Sequence, residues 1–299
     1  MFKNNLQLKG YLLALFSVFT AANTYFSSKY ILGFVSVLHF GFLWYGVGLS
    51  YNSLALIITG KFRKIFILPR KFYFILSIFA LLEVIATTFF FKAIKLIENP
   101  AIVSFLGSIA PALVVLLGIY FLKEKFNLKE KAGILIAITG AFLISFKWTL
   151  NINTLFVTGS QYVLVSAVAI SINVIIAKKY IEQIKPELLS FTRVFALFVF
   201  TVIAMFTLNE KFSFSKEIIY VAMYGAFVGP LLGAYAQYKA LQYIAASKVM
   251  IIQASKSFVI LIFAFILLGL WPLWIQVVGG ILTVLGIVLI TYSNKRNNA

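Results

Sequence analysis

The chain is dominated by long, continuous apolar runs, parted by short basic or Pro/Gly-marked breaks. A bilayer core takes about 20 mostly apolar helical residues to cross. Segments in hydrocarbon must satisfy their own backbone, which leaves only helices or closed barrels. Barrel strands would alternate in polarity over about 10 residues; these runs do not. The fold class expected is an all-α membrane protein with ten transmembrane helices. The runs are 11–28, 34–58, 72–91, 101–122, 132–148, 156–177, 188–208, 218–238, 248–268 and 273–292. The third continues past Lys92 toward Ile97. The last two are split only by Gly269-Leu270-Trp271-Pro272.

Composition agrees. Hydrophobic residues are 62% and charged residues 11%, against about 45–50% and about 25% in soluble domains. The net charge of +18 comes from 26 Lys and Arg against eight Glu, with no Asp. In a soluble protein that excess would suggest nucleic acid. Here its distribution explains it. With the N-terminus on one side, that side collects eighteen basic residues and the other six, while Arg193 and Lys256 fall inside runs. Basic loops mark the cytoplasmic face. The chain is therefore expected to be multi-pass in the cell membrane, with both termini cytoplasmic, lipid around it and no nucleic-acid partner.

Several chemistries are excluded. Without Cys there are no disulfides, thiolate metal sites or cysteine nucleophiles. A single histidine, His39, and the absence of Asp exclude a His-rich metal centre and a Ser-His-Asp triad. No Gly-rich phosphate loop appears, so ATP-driven transport within this chain is not expected. Met1 to Lys9 is short and basic and resembles no cleavable signal. No catalytic residue, metal or cofactor is expected.

Residues 91–144 and 238–291 align without gaps at an offset of 147. Lys92-Ala93 falls on Lys239-Ala240, Ile97 on Ile244, Ser108 on Ser255, and Gly133-Ile134-Leu135 on Gly280-Ile281-Leu282. The offset is near half the chain, which divides it into five-helix halves, 1–148 and 149–299. Five is odd, so the second half starts from the opposite membrane face. Inverted repeats of this kind recur in secondary transporters, with the substrate at the midplane between the halves.

The first window resembles the EamA-type repeat of the drug/metabolite transporter superfamily. Phe90 or Phe91 precedes Ala93, small residues open the next helix, Pro111 lies within it, Glu124 ends it, and Gly133 and Gly140 follow. The second window repeats Tyr238-x-Ala240 and Gly279-Gly280 with Gly286. It departs where Phe258 replaces the Pro and Trp271-Pro272 replaces the Glu. Pro186 to Arg193 is similar to the family's seventh helix. The resemblance implies a ten-helix carrier with cytoplasmic termini and a central cavity lined from both halves.

A charge at the centre of a span costs roughly 2.5–3.5 kcal/mol on insertion scales. Three need a reason. Glu83 is read as a cavity carboxylate for a substrate ammonium or a coupling proton, with a structural ion pair as its alternative. Lys256 is read as an anchor for a carboxylate or phosphate, with snorkelling to the interface as its alternative. Arg193, near the start of its span, is read as a gating or structural residue. A zwitterionic amino acid would place its ammonium on Glu83 and its carboxylate on Lys256; the competing arrangement is a direct Glu83–Lys256 bridge. His39, Asn23, Gln237 and Gln253 are further candidate substrate contacts, with Gln161 and Asn173 similar. Trp44, Tyr45, Phe89, Phe90, Tyr235 and Tyr238 are candidate pocket walls, with lipid-facing or packing roles as the alternative. Pro111 and Gly229-Pro230 are candidate hinges, and Pro230 falls on Glu83 at the repeat offset.

The function expected is secondary transport by alternating access of a small polar or zwitterionic metabolite, amino acids first, in the direction of export. A proton is the candidate coupling ion, and a monomer or weak dimer the expected state. One alternative is an exchanger of anionic or nucleotide-linked metabolites held by Lys256 and Arg193. An intramembrane lipid-modifying enzyme is the alternative of another class, but eight Glu, one His and neither Asp nor Cys leave it few groups to work with.

Overall fold

The computed structural model describes residues 2–97, 103, 106–145, 158–208, 215–268, 271 and 273–296. Pro272 lies outside them. Among the described residues there is no strand. The helices are α1 (Phe2–Leu32), α2 (Val37–Ile58), α3 (Arg70–Leu96), α4 (Ile109–Phe121), α5 (Leu128–Ser145), α6 (Ser160–Ile184) and α7 (Pro186–Thr207). Then come α8 (Lys216–Tyr243), α9 (Ala246–Ala254 continued by Lys256–Leu268) and α10 (Trp274–Arg296). Among the described residues, seven helices are long and apolar enough to cross a membrane: α2, α3 and α6 to α10. The others differ for local reasons. Ser17, Thr20, Asn23, Thr24, Ser27 and Ser28 dilute the apolarity of α1, α4 is short, and α5 opens on Lys129-Glu130-Lys131.

Local chemistry sets the helix starts. Ser36 caps α2 by accepting from the His39 amide, and Ser215 caps α8 by accepting from Ile218. Asn127 and Glu130 open α5 as a reciprocal capping box, each side chain accepting from the other's amide. Pro186 opens α7, where its missing N–H costs nothing.

The helices pack in pairs: α1 with α8, α3 with α6, α2 with α7, α4 with α9, and α5 with α10. Exchanging every helix for the one five places along reproduces this set. The α5–α10 crossing shows why glycine is needed there. A Cβ on Gly140 would lie 2.5 Å from the Gly279 oxygen and the Thr283 nitrogen. One on Gly286 would lie 2.5 Å from the Gly133 oxygen and the Ala137 nitrogen. Close approach through small residues is how membrane helices gain packing contact without a hydrophobic driving force.

Two helices break at equivalent points. Ser108 (φ −68°, ψ −9°) precedes α4, and Ser255 (φ −68°, ψ −8°) divides α9. They are 147 residues apart. Pro111 suits the first break, having no N–H for the Gly107 carbonyl. It therefore sits in the first turn of α4 and puts no kink in its middle. Phe258 takes the Pro position in α9, and the break is kept without it. In α8 a π turn, Phe227–Gly233, surrounds Pro230.

Candidate functional site

A cavity of about 260 Å³ lies among α1, α2, α3, α4, α6, α7, α8 and α9. One wall is aromatic: Tyr25, Trp44, Tyr45, Phe90 and Phe91. Another is polar and comes mostly from α1, through Ser17, Thr20, Thr24 and Ser28, facing Gln237 and Gln253. Both helix breaks reach it, with Gly107 and Ser108 on one side and Ala254, Lys256 and Ser257 on the other.

The intramembrane charges divide in a way the sequence did not indicate. Glu83, on α3, is 4% exposed and lies behind the wall. Its Oε2 is 3.2 Å from Arg193 Nε on α7, and its Oε1 accepts from the Tyr238 hydroxyl at 2.9 Å. Thr87 Oγ1 donates to Oε2 at 3.4 Å. A buried carboxylate is stable only when paired and hydrogen-bonded, and this network does both. In this structure Glu83 is an internal partner of Arg193, the ion-paired arrangement named as its alternative, and no Glu83–Lys256 bridge is formed.

Lys256 is on the wall, its Nζ 5.7 Å from the Phe90 ring centroid, within cation–π range. Among the described residues no carboxylate pairs with it, and none lines the cavity. The three intramembrane charges therefore leave one uncompensated cation facing the space.

The other expected residues separate into two groups. Trp44, Gln237 and Gln253 line the cavity, as do Arg193, Pro111, Gly229 and Pro230. His39, Asn23 and Tyr235 do not. His39 is in the first turn of α2, its Nδ1 2.7 Å from Ser36 Oγ, where it belongs to the helix start. Asn23 points from another face of α1 and donates to the Tyr224 hydroxyl at 2.8 Å. Tyr235 lies outside the lining, two residues from Gln237 and so on a different face of α8. Gln253 donates to Ser17 Oγ at 2.5 Å, which fixes its amide across α9 and α1.

Two buried polar residues outside the lining hold Pro230 in place. Asn52 and Ser190 are buried, bond to each other at 2.9 Å, and both reach the Pro230 carbonyl at 3.3 Å. They satisfy backbone that the π turn displaces. Tyr45 is 5% exposed on the wall, and its hydroxyl has no partner among the described residues. Asn52 could have been singled out as a polar group within span two, whereas Tyr45 lies on the wall where an aromatic was expected.

The basic face is closed by a polar clamp. Glu124, just past the end of α4, accepts from the Ala246 amide at 2.8 Å and the Ser247 hydroxyl at 2.5 Å, capping α9. Lys248 pairs with Glu130 at 2.5 Å, both buried. Lys178 donates to the Leu241 and Ile244 carbonyls at the end of α8, where a cation suits the helix terminus.

Two regions, residues 8–146 and 157–292, each match the model of the EamA-like transporter family. The chain belongs to that family. It is accordingly a multi-pass membrane protein and a transporter of small molecules, within the drug/metabolite transporter superfamily. A solved crystal structure of a protein superposes on it with a TM-score of 0.78, covering 97% of this chain and 99% of that one. At 16% identity that likeness concerns the fold alone. An uncharacterised protein of Methanocaldococcus jannaschii is 36% identical over 104 residues, 35% of this chain and 75% of the relative.

Proposed function

We propose that this EamA-like transporter is a secondary carrier, by alternating access, for small carboxylate-bearing polar metabolites, with amino acids the favoured members. Ten spans form two inverted halves, 1–148 and 149–299, with both termini cytoplasmic, and net movement is export. The paired packing that survives a five-helix exchange and the equivalent breaks at Ser108 and Ser255 support the repeat. Discontinuous helices meeting at the repeat interface are where such carriers hold substrate.

The observation that carries the reading is Lys256, the cation on the cavity wall with no carboxylate partner among the described residues. A substrate carboxylate supplies the missing charge through a charge-assisted hydrogen bond. The ammonium of an amino acid goes to neutral acceptors, the amide oxygens of Gln237 and Gln253 and the hydroxyls of α1, since Glu83 is occupied. A volume of about 260 Å³ is small beside ligand pockets of about 300–1,000 Å³. That argues against nucleotide-linked cargo.

Reconstituted liposomes test this. Preloaded unlabelled amino acid should drive saturable uptake of the labelled one. Counterflow by small phosphorylated anions, and none by amino acids, would move the assignment to an anion exchanger using Lys256 and Arg193. Flux that never saturates would replace the carrier by a channel.

A further inference from the structure

A second cavity, of about 400 Å³, lies on the basic face among the ends of α4, α6 and α8. Its wall carries Glu124, Lys178, Lys248 and Tyr243. The charge of Lys248 is neutralised by Glu130, with which it is paired. The other two charges are not fully used.

Lys178 has three donors. Two go to the carbonyls of Leu241 and Ile244, at 2.7 and 2.9 Å. Among the described residues no carboxylate pairs with it. A carboxylate such as Glu124 has about four lone-pair positions. Three are taken, by the Ala246 amide and by the Ser247 amide and hydroxyl. One N–H on a cation and one lone pair on an anion therefore remain on the wall of a single cavity.

We propose that this second cavity is a binding site for a dipolar metabolite, its carboxylate on Lys178 and its ammonium on Glu124. The proposal rests on the reading above that the cargo is amino-acid-like, and places a second station for it on the basic face. A ligand of one sign completes one residue only, whereas a zwitterion completes both. Glu124 then has two duties. It caps α9 through three of its lone pairs and receives the ammonium on the fourth.

The chain has no cysteine, so single reporters are clean. Tyr243→Cys reports on the second cavity. Gly107→Cys reports on the first, where an added Cβ meets nothing within 4 Å. The probes are the standard amino acids, one at a time, on the purified full chain, with the rate of methanethiosulfonate modification as readout. An amino acid at roughly ten times its dissociation constant should slow modification of Tyr243→Cys roughly tenfold, by mass action. Lys178→Gln and Glu124→Gln should each abolish that protection and leave protection of Gly107→Cys intact, which also shows the variants are folded. Lys178→Arg should retain it. The carboxylate-only and amine-only analogues of the protecting amino acid should protect far less than the parent.

The proposal is overturned if no amino acid protects Tyr243→Cys, if protection survives Lys178→Gln, or if a one-charge analogue protects as well as the zwitterion. Protection confined to Gly107→Cys would remove this site alone. Protection confined to Tyr243→Cys would remove the first-cavity reading and leave this one.

Discussion

Arg193 holds Glu83 at 3.2 Å between α7 and α3, with the Tyr238 hydroxyl on the other carboxylate oxygen at 2.9 Å. Together with Tyr238 on α8, the pair joins three helices at the back of the first cavity. It also removes from consideration the carboxylate that sequence alone made the best ammonium partner, and leaves Lys256 as the charge facing the space.

Breaking this pair from one side should be costly. Glu83→Gln leaves a largely buried guanidinium without its counter-charge, and removing one member of a buried pair costs roughly 3–5 kcal/mol. Arg193→Gln should cost a similar amount. The double variant should lose much less than the sum of the two, because it strands no charge. Denaturant unfolding in micelles checks this, and additive losses would show that the two residues do not act as a unit.

The α5–α10 crossing should resist any side chain larger than hydrogen. Gly140→Ala and Gly286→Ala place a methyl 2.5 Å from backbone atoms of the partner helix, and overpacking costs about 1–3 kcal/mol. Gly107→Ala, with open space around it, should be near neutral in the same melting experiment. Equal melting temperatures for all three would contradict the close approach.

Lys61, in the turn between α2 and α3, gives a pH test outside the membrane. Its bond to Glu187, 2.5 Å long, raises its pKa above the ordinary 10.5, against a smaller opposing effect of burial. A raised value in the folded state means the stabilisation is complete below 10.5 and is lost as pH climbs through the folded value. Its side chain is 38% exposed, so screening holds the contribution to about 0.2–1 kcal/mol. Lys61→Met should lower stability slightly at neutral pH and flatten the alkaline limb of the melting profile. An unchanged alkaline limb would show the bond adds nothing.

Much of the fold was legible because hydropathy and charge are summed over long stretches. The apolar runs mark the helices. The ungapped offset pairs Ser108 with Ser255, but nothing in the residues themselves announces a break at either. Which residues meet was not legible. Arg193, expected as a gating or structural residue near the start of its span, turns inward to Glu83, a partner its position in the sequence does not name. His39 and Asn23 look like cavity groups in a hydropathy plot, but one serves a helix start and the other points off the wrong face of α1. Glu124, placed at a helix end by the family resemblance, caps α9 more than 120 residues away in sequence. Those pairings depend on helix rotation and depth, which a sequence pattern does not encode.

If Lys256 holds the substrate carboxylate, neutralising it should weaken substrate binding. This is tested most directly by counterflow kinetics of a labelled amino acid in liposomes carrying the wild-type chain or Lys256→Gln. A charge-assisted hydrogen bond is worth about 1.5–3 kcal/mol. The variant should therefore raise KM roughly ten- to hundredfold, with the melting temperature of the empty protein almost unchanged. Wild-type KM in Lys256→Gln, in a protein that still transports, would contradict the assignment.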